Sequence, residues 1–98
     1  MLADTGIKAQ VQEEICRFAE KYQLERVVLF GSRARGDYHR ASDIDLAVWG
    51  GSIPQFAVDV DEDTSTLLKY DVVDMNRDVS EELRNSIQRE GRVLYEKV

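Results

Sequence analysis

A short apolar run from Val27 to Phe30 ends in Gly31-Ser32, and after ten further residues a second run opens with Asp43-Ile44-Asp45 and continues Leu46-Ala47-Val48. Brevity and β-branched residues mark both runs as strands. The glycine closing the first allows a tight turn and a close approach of backbone to a ligand. Side chains alternate along a strand, so Asp43 and Asp45 share one face about 6–7 Å apart, while Ile44, Leu46 and Val48 share the other and pack on helices. Two unpaired carboxylates that near each other repel by roughly 2–3 kcal/mol at an effective dielectric of about 20. A cation between them reverses the sign of that term, and hard oxygen ligands of this kind suit magnesium. The blander alternative is that strand-end carboxylates cap loops or pair with Arg33 or Arg35. It leaves unexplained why aspartate, depleted in strands, occurs twice on one face.

The turn between the two strands carries its own chemistry. Ser32-Arg33-Ala34-Arg35 reads as one helical turn stopped by Gly36. Its first N–H groups and the Ser32 hydroxyl are oriented to hold an anion, phosphate above all. Arg33, Arg35, His39 and Arg40 form a local basic patch beside it. Arg33 and Arg35 are therefore candidate phosphate contacts, with a surface ion pair as the alternative for each, and His39 is expected in solvent. A phosphate cradle beside metal-binding carboxylates implies phosphoryl or nucleotidyl transfer.

The remaining chain supplies a scaffold. Ile7, Val11, Ile15, Phe18, Ala19 and Tyr22 recur at three- and four-residue steps, predicting a helix over residues 5–22 capped by Asp4 or Thr5. Cys16 falls in it and is expected to be buried. Gly50-Gly51-Ser52 breaks the second strand, and Pro54 opens a helix running to about residue 62. The acidic string VDVDEDT lacks the glycine and spacing of a calcium loop and reads as a solvated face. A third strand, Tyr70 to Met75, bears Asp71 and Asp74 on opposite faces, so only one of them can join Asp43 and Asp45. Ser80 caps a final helix ending before Gly91, and Val93 to Tyr95 resumes as an edge strand. This order predicts an α/β (α+β) fold, one domain over residues 1–98, with a small mixed β-sheet backed by helices and the site on the sheet's free face and strand ends.

Charge and composition narrow the function classes. A net charge of −6 disfavours a protein that grips nucleic acid through its phosphates, and favours a small anionic ligand at the one basic patch. No apolar run reaches the length of a membrane span, and no leader pattern opens the chain, so a cytoplasmic location is expected. A lone cysteine fits a reducing compartment without disulfides.

The string GSRARGDYHRASDIDLAV, with Gly31-Ser32 spaced ten residues from Asp43-Ile44-Asp45, resembles the signature of the DNA polymerase β-like nucleotidyltransferase superfamily, in particular the minimal nucleotidyltransferases, MNT. The resemblance implies that Gly31 and Ser32 hold the phosphates of ATP, and that Asp43 and Asp45 bind two Mg²⁺ ions. By similarity to the MNT pattern xDVVD it selects Asp71 as the third carboxylate; Asp74 is left to cap the following loop. It further implies a HEPN-domain toxin as partner, with AMP transferred to a tyrosine hydroxyl of that toxin and the chain acting as antitoxin. Two other readings are a non-catalytic antitoxin that neutralises by binding, and nucleotidyl transfer to a small molecule. The second normally needs additional helical structure around the acceptor.

Overall fold

A computed structural model describes residues 1–98. Eight elements alternate along the chain: α1 (Ala9–Lys21), β1 (Arg26–Phe30), α2 (Ser32–Arg35), β2 (Ile44–Trp49), α3 (Ile53–Asp63), β3 (Tyr70–Asp74), α4 (Glu81–Glu90) and β4 (Arg92–Glu96). The strands form one mixed sheet in the order β3-β2-β1-β4. β1 runs antiparallel to both β2 and β4, and β2 and β3 are parallel, joined by the α3 crossover. This is the α+β arrangement anticipated from the sequence. No helix is long and apolar enough to cross a membrane.

Alternation along the strands divides the core in two. Val27, Leu29, Ile44, Leu46 and Val48 face α1 and α3, meeting Val11, Ile15, Ala19, Phe56 and Val60 in the larger cluster. Val28, Phe30 and Ala47 face the other way, against Met75 and Ile87 of the α4 side. The second face is therefore not free along its length. Helix α4 covers its middle, and the end where β2 and β3 begin stays uncovered, with Asp43 and Asp71 exposed there.

Three local expectations change. α1 starts at Ala9, and Lys8 caps it without a side-chain bond. Asp4 and Gly6 both hold left-handed φ (60° and 70°), which forbids helix there, and Thr5 instead turns its hydroxyl to the Ile7 N–H. Ile7 still enters the core from this non-helical lead. Cys16 is half-buried, its thiol directed at the Leu94 carbonyl at 3.4 Å. Gly91 ends α4 with an ordinary φ of −63°; glycine is required because a Cβ there would press on Val28 and the Ile87 carbonyl. The Ser80 cap is present, its hydroxyl accepting the Leu83 N–H at 3.1 Å.

Candidate active site

The site forms where three elements meet at one sheet end. β1 finishes at Phe30, and Gly31 turns the chain into α2 with φ +76°. β2 enters beside it, with Phe30 paired across to Asp45. β3 enters in parallel, placing Asp71 directly opposite Asp45 on the same sheet face. Asp43 lies one residue before β2 rather than in it, and both Asp43 and Asp71 are exposed while Asp45 is half-buried. The sheet register, which no single segment encodes, decides between the two aspartates of β3. Asp74 pairs with Val48 on the opposite face, accepts the Asn76 N–H and pairs with Arg77, closing the next turn.

Gly31 and Asp45 are fitted to each other. A Cβ at Gly31 would strike the Asp45 carboxylate. Glycine thus provides both the left-handed turn and the room for a carboxylate beneath it. Gly31→Ala is expected to destabilise the fold by about 1–3 kcal/mol through its φ and that collision, read by urea denaturation, and to abolish activity by displacing Asp45. The Gly31 carbonyl accepts the Ala34 and Arg35 N–H groups, which fixes the turn.

The electrostatics match a cation site. Burial pushes the Asp45 carboxyl up from its ordinary 3.8 to about 6, and the Asp71 and Asp43 charges push in the same direction; Arg35 and Arg33 oppose them. Hard carboxylate oxygens carrying unbalanced negative charge fit a hard divalent ion. No three acidic, histidine or cysteine side chains close around a single point. An ion here would complete its shell with oxygens from other molecules, as magnesium commonly does with water and phosphate.

The two arginines part company. Arg33 is 1% exposed. Its guanidinium donates to the carbonyls of Thr5, Ser42, Arg40 and His39 at 2.9, 3.0, 3.1 and 3.4 Å, and stacks on the Tyr38 ring. The expectation that Arg33 contacts phosphate is therefore corrected: its donors are committed to backbone, and it holds the 37–42 loop in place. Nothing local in the sequence reveals this, because the partners come from residue 5 and from the loop itself. Arg35 is exposed and paired with Glu90 at 2.5 Å and Asp37 at 3.3 Å, tying α2 to the end of α4. Glu90 was not anticipated; its pairing depends on how α4 packs. Arg40 lines a separate groove that includes neither Gly31 nor Ser32, and His39 is exposed.

Comparison with known proteins fits this geometry. Residues 13–98 match the family model described as polymerase beta, nucleotidyltransferase. The chain belongs to the polymerase beta nucleotidyltransferase family. A relative in Methanocaldococcus jannaschii named "Putative protein adenylyltransferase MJ0604" is 38% identical over 96 residues, covering 87% of this nucleotidyltransferase and 94% of the relative. Among solved structures, a toxin-antitoxin crystallised with AMP-PNP shares the fold at a TM-score of 0.72 and 24% identity, over 88% of this chain and 73% of that one. A substituted form of the toxin-antitoxin MntA-HpeT superposes with a TM-score of 0.71 at 22% identity, over the same shares. Enzymes of this family use a nucleoside triphosphate and a divalent metal.

Proposed function

We propose that this nucleotidyltransferase is a magnesium-dependent adenylyltransferase that moves AMP from ATP to a hydroxyl of a partner toxin in the cytoplasm, and so acts as its antitoxin. The observation that carries the reading is the register of Asp45 against Asp71 beneath the Gly31 turn, which brings an acidic pair and an anion-holding turn to one edge. The adenylyl specificity and the protein acceptor are supported by the archaeal relative's name, and the toxin partner by the toxin-antitoxin structures that share the fold.

In this reading Gly31 and Ser32 hold the β- and γ-phosphates with backbone N–H groups and the Ser32 hydroxyl. Asp43, Asp45 and Asp71 would hold two Mg²⁺ ions, which when bound offset the charge developing on the phosphates. Asp71, on the outer edge strand, stands on the acceptor side and favours loss of the hydroxyl proton. The acceptor oxygen bonds to the α-phosphorus, the α–β anhydride breaks, and pyrophosphate leaves with the electron pair. The acceptor is a tyrosine of a HEPN-domain toxin, where AMP adds negative charge and bulk.

Intact-mass spectrometry tests the reading. The chain is incubated with Mg²⁺, each nucleoside triphosphate in turn, and the protein encoded beside it. One or more AMP units on the partner, absent when Asp43 and Asp45 are both replaced by alanine, is the expected result. A tight complex with no mass gain under any nucleotide would replace it with antitoxin action by binding alone.

A further inference from the structure

A concavity opens on the helix side of the same sheet end, with a volume of about 610 Å³. Gly6 and Lys8 of the lead into α1, Arg40 of the 37–42 loop, and Thr66, Leu67 and Leu68 before β3 line it. Its walls are fixed. Ser65 gives its N–H and its hydroxyl to the Glu14 carboxylate, both at 2.7 Å, and receives the Gln10 amide at 3.2 Å. The Lys69 carbonyl accepts the Ile44 N–H at 2.8 Å, joining this loop to the entrance of β2.

Two features suit it to an acidic partner. Lys8 and Arg40 enter none of the ion pairs of a chain whose net charge is −6. Leu67 is fully exposed beside it and adds an apolar side chain to its lining. Unpaired cations around an apolar floor complement an acidic segment with interspersed apolar side chains. The groove's loop enters β3 at Tyr70, so the groove lies at the sheet end that carries Asp71 but on the opposite face, and a chain lying in it reaches the carboxylates by rounding that end.

We propose that this groove docks an extended acidic segment of the acceptor protein and presents its hydroxyl to Asp71. The inference rests on the transferase reading for what is presented, while the docking itself can be read without catalysis. Two blocked hexapeptides serve as probes, Glu-Asp-Leu-Tyr-Asp-Glu and its charge-reversed counterpart Lys-Arg-Leu-Tyr-Arg-Lys. They are titrated into the ¹⁵N-labelled full chain and followed by amide shifts. The acidic peptide is expected to move amides of residues 6–8, 40 and 65–68. Lys8→Glu with Arg40→Glu should weaken it by about tenfold or more, and Leu67→Ser by a smaller factor. Affinity for a non-hydrolysable ATP analogue should stay unchanged in all variants. The proposal is overturned if the acidic peptide leaves those amides unmoved, if the basic peptide binds equally well, or if the ATP analogue itself moves them and is weakened by the charge reversal. Groove-dependent peptide binding without AMP transfer to any partner would instead sink the transferase reading and leave the docking surface standing.

Discussion

At neutral pH and without divalent metal, Asp45→Asn is expected to unfold at a higher temperature than the native chain while losing nucleotidyl transfer by on the order of 10³-fold or more. The carboxyl is raised to about 6 by burial and by Asp71 and Asp43, so folding favours its protonated form. The sign follows from linkage. Below about pH 4 the group is protonated in both states and imposes no penalty. As pH rises from about 4 to 6 the unfolded chain ionises first and stability falls, and above about pH 6 the full penalty applies. Discounted for solvent reaching a half-exposed site, asparagine should recover about 1–2 kcal/mol at pH 7 and nothing below about pH 4. Thermal melts in chelator across pH 4–8 measure it; no gain at neutral pH would mean that the acidic trio does not repel. Mg²⁺ should raise the melting temperature of the native chain and leave that of Asp45→Asn unmoved, because only a ligand bound to the folded state stabilises it. Stability set aside for a functional charge cluster is a common pattern at active sites.

Arg33→Met is expected to be the most damaging single change away from the carboxylates. The guanidinium is enclosed and bonded to four backbone carbonyls, three of them in the loop that delivers Asp43. Methionine keeps much of the stem and the packing on Tyr38 but leaves those carbonyls without donors. Each unsatisfied buried group costs about 1–3 kcal/mol, and some regain water as the loop loosens, giving about 3–5 kcal/mol in all. Urea denaturation would then show a midpoint far below the native one at similar slope. Arg33→Lys should restore only part, since one ammonium cannot reproduce a planar fork spanning four acceptors. A loss under 1 kcal/mol for methionine would show that the loop holds itself without the guanidinium.

Much of this protein was legible in its sequence because the signals are local. Strand alternation sorts Ile44, Leu46 and Val48 from Asp45 and Ala47, and the structure puts the first three in the larger core cluster, Ala47 in the smaller and Asp45 opposite Asp71. Gly31 at the end of β1, Gly36 with its left-handed φ of 94°, and Ser80 as a cap all act within a few residues of themselves. The start of α1 at Ala9 is not legible in this way, because the hydrophobic period continues through Ile7. A side chain can reach the core from non-helical backbone as readily as from a helix.

The set of elements, their apolar faces, and the presence of a Gly-Ser turn and two closely spaced carboxylates are legible in the sequence, since each depends on residues a few positions apart. The tertiary structure alone decided which aspartate of β3 joins them, because that depends on the register of two parallel strands joined through α3. It also decided that Arg33 is a buried brace rather than a ligand, that α4 covers the middle of the site face, and that Lys8 and Arg40 meet across one groove. Each of these turns on contacts between segments distant in the chain, and charge or periodicity within a segment carries no record of what will lie against it.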